Sequence, residues 1–175
     1  MKFAIFLSNY EGQTSLQMEQ DLVRASSFLQ PFDDASQMIL VAPSVDEQGL
    51  LDRRGSIAPE HFVFDHSDEA SPMTQLQTAA RHFNDAFFMI FVDELPTDPG
   101  ILSQLVGFIG EGLSPEVTFV QPMGPVGNFL LKKFPIFITK YGCDKFGQLD
   151  GTKNLYDFQH VQLPVYDGTS RVQQA

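Results

Sequence analysis

The sequence predicts a single α/β domain of the doubly wound type, a flavodoxin- or Rossmann-like fold in which helices cover both faces of a mostly parallel sheet. Three observations predict it. The chain has 175 residues, which is long enough to bury a sizeable core. Its short apolar runs show no polar–apolar alternation, as expected for strands that are buried on both faces. Segments with helical spacing separate these runs, and that order is typical of a parallel sheet.

Two strands and one helix are predicted in the first part of the chain. Residues 2–8, KFAIFLS, form a short aromatic-rich run of strand character. A helix follows, with Thr14 or Ser15 as its cap and Pro31 as its end. Its predicted apolar face consists of Leu16, Leu22, Val23 and Phe28. Residues 38–42, MILVA, form the second strand, which Pro43 stops.

The middle of the chain supplies the predicted central strand. Residues 45–60 are polar and contain Gly and Pro, so they are predicted to be a loop, and residues 61–64 form a short third strand. Residues 72–83, PMTQLQTAARHF, suit a helix with Pro in its first turn. Residues 86–92, AFFMIFV, are the most apolar run in the chain and are therefore predicted to be the central strand.

The last part of the chain is less regular. A Gly-rich helix is predicted over residues 101–112, with strands over 117–120 and 135–139. A weak late strand is predicted over residues 161–166. Residues 143–175 are polar and mixed, and we interpret them as a C-terminal extension within the one predicted domain, which spans the whole chain.

Charge and cysteine content exclude several functional classes. The chain has 22 acidic and 11 basic residues, a net charge of −11, whereas binding to a nucleic-acid backbone depends on clustered Lys and Arg. The single cysteine, Cys143, cannot form an internal disulfide, so a reducing compartment is expected. The N-terminal apolar run is too short for a signal-peptide core or a membrane span. We therefore expect a cytoplasmic protein with no nucleic-acid polymer or membrane as its partner.

Polar residues after the predicted strands are the first site candidates, because ligands of doubly wound folds bind beyond the carboxyl ends of the strands. These rim residues are Ser8, Asn9, Pro43, Ser44, Asp65, His66, Asp93, Glu94 and residues 121–123. Asp93, Glu94 and Asp98 together follow the central strand, and two carboxylates at one site can divide the roles of acid–base and nucleophile. The alternative is a solvated acidic loop in which Asp98 stabilises the N-terminus of the next helix.

The segment DPGILSQLVGFIGEG resembles the nucleoside 2-deoxyribosyltransferase family. Asp98, Gly100 and Gln104 occupy the spacing of that family's Asp, Gly and catalytic Glu, which a small-residue-rich helix accompanies. The resemblance covers roughly residues 74–142. It implies a flavodoxin-like, usually oligomeric fold and exchange of a base on a deoxynucleoside through a covalent sugar–enzyme intermediate, with no metal or organic cofactor.

The resemblance also implies ligand-binding residues outside that segment. Asp85 lies in an Asn-Asp pair before the central strand, as in the family, and Asn128 matches an Asn that a neighbouring subunit contributes to the pocket. Two positions depart from the family. Its catalytic Glu is replaced by Gln104, and an Asp on the preceding helix is replaced by Gln77. Both changes keep a hydrogen-bonding side chain and remove its charge.

Three functional hypotheses follow. The first is a transferase or hydrolase of the N-glycosidic bond of a nucleoside or nucleotide, in a homo-oligomer. Its catalytic candidates are Asp98, Gln104 and Glu94. Its ligand-binding candidates are Ser8, Asn9, Gln77, Asp85, Asp93, Gly100 and Asn128, with no metal site. The second hypothesis is a non-catalytic protein on the same fold that binds a nucleoside, a nucleotide or a protein partner.

The third hypothesis is a nucleotide-sugar transferase type of α/β protein. FVDELP resembles an apolar strand that ends in a metal-binding acid. Such a protein needs a Gly-rich, basic loop after the first strand to hold a triphosphate, whereas SNYEGQTS has one Gly and no Lys or Arg. No Walker motif, dinucleotide-binding glycine pattern or zinc-ligand spacing occurs in the sequence. The sequence therefore ranks this hypothesis last.

Overall fold

The computed structural model describes most of the first half of the chain and parts of the second. The described residues are 2–7, 15–30, 36–44, 47–68, 71–95, 117–122, 136–148, 160–163, 165–166 and 172–173. Their helices are α1 (Ser15–Leu29), α2 (Glu47–Asp52), α3 (Pro72–Phe83) and α4 (Lys140–Gly147). Their strands are β1 (Phe3–Phe6), β2 (Met38–Pro43), β3 (Phe62–Asp65), β4 (Phe87–Phe91), β5 (Phe119–Pro122), β6 (Ile136–Ile138), β7 (His160–Leu163), β8 (Val165–Tyr166) and β9 (Val172–Gln173). Short 3₁₀ turns span Pro59–His61 and Val92–Glu94.

The main sheet has seven strands in the order β3-β2-β1-β4-β6-β5-β7. Strand β6 runs antiparallel to both of its neighbours, and every other neighbouring pair in this sheet is parallel. Strand β4 is the middle strand, as the sequence predicted. The mostly parallel, doubly wound sheet is thus confirmed. Strands β8 and β9 form a separate antiparallel pair.

The strand order corrects one expectation from the family resemblance. A flavodoxin-like sheet has the order 2-1-3-4-5, in which the first strand lies beside the third. Here β1 lies between β2 and β4, so the order β3-β2-β1-β4 is that of the Rossmann type. The flavodoxin-like order that the resemblance implied is therefore wrong for this chain.

Both faces of the sheet are covered, because successive side chains of a strand point to opposite faces. On one face, α1 and α2 pack against Phe3, Ile5, Met38, Leu40, Phe88 and Ile90. On the other, α3 and α4 pack against Ala4, Phe6, Ile39, Val41, Phe87 and Met89. The strands have to be apolar throughout for this reason, which explains the unbroken runs in the sequence.

The apolar face of α1 differs from the one predicted. Its buried residues are Met18, Leu22, Ala25, Phe28 and Leu29, whose spacing keeps them on one side of a helix. Leu22 and Phe28 were predicted correctly. Leu16 and Val23 are 62% and 66% exposed, so their assignment to the core was wrong. They lie on the opposite side of the helix, which faces away from the core. A hydrophobic residue of a helix is buried only if its spacing places it on the core-facing side.

Two helices were missed by the sequence analysis. Helix α2 lies within the segment predicted to be a loop, and its Leu50 is fully buried. Helix α4 lies at the start of the predicted extension and buries Cys143 and Phe146. Both helices are short, at six and eight residues, so each shows too few periodic positions to be recognised.

Gly142 allows α4 to approach the sheet closely. A Cβ atom at this position would overlap the backbone carbonyl oxygen of Thr118. Nearby, the hydroxyl of Thr139 accepts a hydrogen bond from the Gly142 N–H at 2.9 Å and donates one to the Val117 carbonyl at 2.7 Å. The start of α4 is therefore fixed against the backbone just before β5, and only glycine fits there.

We expect Gly142→Ala to lower the free energy of unfolding by about 1–3 kcal/mol, because the added methyl group meets rigid backbone. Gly49→Ala on α2 is the matched control, since its Cβ would make ordinary contacts of 3.6 and 3.7 Å with flexible side chains. That variant should gain about 0.5–1 kcal/mol from helix propensity. Thermal unfolding followed by circular dichroism measures both, and equal melting temperatures would contradict the close packing.

Candidate functional site

The direction of the strand order changes at β1, and this defines the candidate site. From β1 the chain moves outward to β2 and β3, and it then returns through α3 to β4 on the other side of β1. The crevice at the carboxyl ends of β1 and β4 is the place where doubly wound sheets bind ligands. Phe6 pairs with Phe91, so the two strands end at the same level.

Two acids follow β4 at this crevice. The 3₁₀ turn Val92–Glu94 buries Val92, which is 1% exposed, while Asp93 is exposed and Glu94 is half-buried. Helix α1 contacts the same turn. The buried side chain of Val92 and the contact with α1 thus hold the backbone of the turn, and the two carboxylates lie near the edge of the sheet. The structure brings Asp93 and Glu94 to the rim that the sequence predicted for them.

Gln75, on the first half of α3, holds the end of β1. Its Nε2 donates a hydrogen bond to the Leu7 carbonyl at 3.2 Å, and the Leu7 N–H donates to the Val41 carbonyl at 2.8 Å. Gln75 is 6% exposed, and Leu7 is 2% exposed. The amide therefore satisfies a buried carbonyl at the point where the chain leaves the strand. Sequence reasoning missed this residue, and the available signal was a polar residue between the core positions Met73 and Leu76.

Asp65 was a rim candidate, and both oxygens of its carboxylate accept hydrogen bonds from other residues of the chain. One oxygen accepts from the Thr74 hydroxyl at 2.5 Å, and the other accepts from the Ser67 N–H at 3.0 Å. Ser71 and Thr74 form a capping box at the start of α3. Asp65 thereby joins the end of β3 to the start of α3. Its neighbour His66 is exposed.

Helix α1 carries a fully buried carboxylate that the sequence analysis did not single out. Asp21 is 0% exposed and accepts a hydrogen bond from Gln17 Nε2 at 3.0 Å, with Arg24 Nη1 at 3.8 Å. It occupies a position between the core residues Met18 and Leu22. A buried charge requires such partners, because desolvation of an unpaired carboxylate is costly. The buried face of α1 is therefore partly polar.

Gln77, a predicted ligand-binding residue, is 3% exposed on α3. Its Nε2 is a buried side-chain nitrogen that has no hydrogen-bond partner within the described part of the chain. One turn further along the helix, the Ala80 carbonyl accepts from Cys143 Sγ at 3.2 Å, and Arg81 Nε donates to the Gly147 carbonyl at 2.9 Å. Gln77 thus lies on the side of α3 that faces α4, where burial of its amide nitrogen is unfavourable.

Asp85, another predicted ligand-binding residue, lies at the opposite edge of the sheet from Asp93. It precedes β4, is exposed, accepts from the Ala86 N–H at 2.8 Å, and pairs with Lys2 at 3.5 Å. The Ala86 N–H, assisted by Lys2, lowers the pKa of the Asp85 carboxyl. The eight residue-to-residue steps from Asp85 to Asp93 correspond to at most roughly 26 Å of extended chain. The structure does not bring Asp85 together with Asp93 and Glu94.

Cys143 is a buried free thiol. It is 1% exposed, and its burial raises the pKa of the thiol. A nucleophilic cysteine needs a thiol that is both accessible and deprotonated, and burial opposes both conditions. Cys143 therefore contributes to packing between α3 and α4.

Six predicted site residues fall outside the described part of the chain. These are Ser8, Asn9, Asp98, Gly100, Gln104 and Asn128. The predicted helix over residues 101–112 lies outside it as well. Within the described residues, no three His, Cys, Asp or Glu side chains are grouped so that they could hold a metal ion. None of the described helices is long and apolar enough to cross a membrane.

Comparison with known proteins concerns structure only, since the sequence matches no family model and has no significant match among curated proteins. A cytidylyltransferase from Leptospira borgpetersenii superposes with a TM-score of 0.56 at 12% identity, over 96% of this chain and 77% of the other. A 4-diphosphocytidyl-2C-methyl-D-erythritol synthase from Anaerococcus prevotii gives 0.55 at 11% identity, over 95% and 87%. A mannosyltransferase from Pyrobaculum calidifontis, in complex with GDP-Man and Mn²⁺, gives 0.57 at 12% identity, over 94% and 56%.

These similarities show that the chain has the α/β fold of nucleotidyltransferases and nucleotide-sugar transferases. They also overturn the resemblance to nucleoside 2-deoxyribosyltransferases, because the similar structures are of the nucleotidyltransferase or glycosyltransferase kind. The earlier resemblance depended on short spacings around Asp98 and Gln104. The order of the strands, which those spacings do not determine, is what separates the two classes.

Two glutamines on α3, Gln75 and Gln77, allow a paired test of buried hydrogen bonds. Gln75→Met should lower the free energy of unfolding by about 1–3 kcal/mol, because the buried Leu7 carbonyl loses its donor. Gln77→Met should leave it unchanged or raise it by up to about 1 kcal/mol, because it removes a buried donor that no described residue accepts from. Urea unfolding of both variants provides the measurement. Destabilisation by Gln77→Met as large as that by Gln75→Met would show that the Gln77 amide is hydrogen-bonded in the folded protein.

Proposed function

We propose that the chain is a nucleotide-dependent transferase that binds the phosphates of its nucleotide at the carboxyl ends of β1 and β4. The observation that carries the proposal is the position of Asp93 and Glu94, which a 3₁₀ turn holds at the crevice where the strand order changes direction. The fold supports it, since a mannosyltransferase of the same fold is described in complex with GDP-Man and Mn²⁺.

Asp93 and Glu94 suit a divalent cation that is shared with the phosphates of the nucleotide. Small divalent ions prefer oxygen ligands and are commonly held by one or two carboxylates together with substrate phosphates. Two adjacent carboxylates at the ligand edge of the sheet meet this requirement. When bound, the cation neutralises phosphate charge and stabilises the oxygen of the leaving group.

The other residues of the site act by positioning. Val92 is buried in the core and fixes the start of the turn, so the two acids that follow it have a defined place relative to β1. Gln75 fixes the Leu7 carbonyl and with it the direction in which the chain leaves β1. A transferase depends on such positioning, because a small displacement of its ligand reduces the rate of transfer.

The net charge of the chain favours some classes of nucleotide ligand over others. With a net charge of −11, the protein attracts phosphates poorly unless a cation is present. The connection from β1 to α1, SNYEGQTS, contains no Lys or Arg to stabilise a triphosphate or a departing pyrophosphate. A nucleoside diphosphate sugar carries less charge and depends less on a basic loop. We therefore rank a nucleoside diphosphate sugar above a nucleoside triphosphate as the ligand.

We expect a nucleoside diphosphate or nucleoside diphosphate sugar to bind in the presence of Mn²⁺ and to bind much more weakly with EDTA. The double variant Asp93→Asn and Glu94→Gln should raise the dissociation constant by about tenfold or more, because removal of ligands or their supporting contacts weakens metal sites by about that factor. Isothermal titration calorimetry with GDP, UDP, CDP and their sugars measures the effect.

Asp85→Asn is the matched control, since it removes one exposed carboxylate at the opposite edge of the sheet and should leave the affinity unchanged. Equal affinities of the natural protein and the double variant would refute the assignment of Asp93 and Glu94. A loss of affinity in the control that equals the loss in the double variant would show that overall charge, not the site, determines binding.

A second candidate function is binding of the nucleotide without transfer. The observation in its favour is the same β1–α1 connection, which lacks basic residues. Release of nucleoside diphosphate from a nucleoside diphosphate sugar, followed by chromatography in the presence of Mn²⁺, distinguishes the two functions. Turnover that disappears in the Asp93→Asn variant supports a transferase. Tight Mn²⁺-dependent binding with no turnover over a panel of sugar donors and acceptors supports the binding protein.

A further inference from the structure

A cavity lies at the amino-terminal edge of the sheet, away from Asp93 and Glu94. It has a volume of about 250 Å³ and is lined by Ser26, Leu29, Gln30, Ser56, Ile57, Ala58 and His61. We call it the amino-edge cavity. His61 bonds to Met38, the first residue of β2, whereas the nucleotide edge follows the last residue, Pro43. The five residue-to-residue steps of β2, from Met38 to Pro43, separate the two edges by about 17 Å.

His61 gives the amino-edge cavity a defined acceptor. Its Nδ1 lies 2.7 Å from the Met38 carbonyl oxygen, which can only accept a hydrogen bond. Nδ1 therefore carries the hydrogen, and in the neutral ring Nε2 is an acceptor. The His61 residue is 5% exposed, and its imidazole ring has no second hydrogen-bond partner among the described residues. A molecule in the cavity has to donate a hydrogen bond to make use of this nitrogen.

The remaining lining residues include both polar and apolar side chains. The hydroxyls of Ser26 and Ser56 lie 3.3 Å apart and connect α1 to the segment before β3, and each keeps further hydrogen-bonding capacity. Leu29 and Ile57 are core residues that provide apolar surface. The lining residues in the described part of the chain include no Asp, Glu, Lys or Arg. A charged ligand would lose its hydration without a counter-charge, so the lining favours a neutral one.

We propose that the amino-edge cavity is a second binding site, for a neutral, ring-sized molecule that carries N–H or O–H donors. At about 30 Å³ for each water molecule, its volume corresponds to roughly eight waters. That size suits an uncharged sugar ring or a nucleobase, which share adjacent donors and acceptors around a compact ring. The ligand donates to His61 Nε2, exchanges hydrogen bonds with the serine hydroxyls, and places its less polar face against Leu29 and Ile57.

The experiment is a titration of the ¹⁵N-labelled full chain with neutral compounds, followed by amide chemical shifts. One arm uses free monosaccharides and the other uses nucleobases and uncharged nucleosides. We expect saturable shifts at the amides of Ser26, Ser56, Ile57 and His61 in one arm, and no comparable shifts at Asp93 and Glu94. Shifts confined to Asp93 and Glu94, or no saturable shift in either arm, would overturn the second site.

Two variants test the chemistry. His61→Asn places an amide donor where Nδ1 was, so the bond to the Met38 carbonyl can persist while the acceptor is lost, and the dissociation constant should rise by about tenfold. Ser56→Phe should reduce binding by occupying the cavity, whereas Ser67→Phe, at an exposed position after β3, should not. Unchanged affinity in both His61→Asn and Ser56→Phe, in protein with a natural amide spectrum elsewhere, would refute the proposed contacts.

Discussion

The pairing of β1 with strands on both of its sides is the constraint on which the rest of the structure depends. Phe3 and Phe6 are in register with Met38 and Val41 of β2 on one side and with Phe88 and Phe91 of β4 on the other. All four side chains of β1 are buried, two towards each face. A large apolar side chain contributes about 1.5–3 kcal/mol when it is fully buried. Strand β1 thus joins both layers of helices into one core.

The site is a consequence of that pairing. Because β1 and β4 are parallel and in register, the residues that follow them meet at one edge, and the acids after Val92 come to lie beside the end of β1. The other buried polar groups serve this arrangement in different ways. Gln75 satisfies the carbonyl of Leu7, the residue after β1, and Asp65 joins β3 to the helix that carries Gln75. The chemistry proposed for the site needs the two carboxylates, while the hydrogen bonds of Gln75 and Asp65 fix the ends of β1 and β3 at the same edge of the sheet.

Much of the fold could be predicted from the sequence, because unbroken apolar runs indicate strands buried on both faces. AFFMIFV became β4, and PMTQLQTAARHF became α3 with the predicted bounds. The reversed direction of β6 could not be predicted, since three apolar residues have the same pattern in either direction. The positions of Leu16 and Val23 on α1 were predicted from hydrophobicity, whereas helical spacing places them in solvent. The rim position of Asp93 and Glu94 could be predicted because they directly follow a predicted strand, but the class of protein could not, because short spacings around Gln104 suggested a different family.

Paramagnetic broadening by Mn²⁺ shows most directly whether the cation binds at the carboxyl ends of β1 and β4, since it reports where on the chain the cation lies. In a ¹⁵N spectrum recorded with a nucleoside diphosphate and a small amount of Mn²⁺, we expect the strongest broadening at the amides of Leu7, Asp93 and Glu94. The amides of Asp85 and Ala86, at the far end of β4, should broaden least. Broadening that is strongest at Asp85, or that is uniform along β4, would contradict a nucleotide and cation site at the carboxyl ends of β1 and β4.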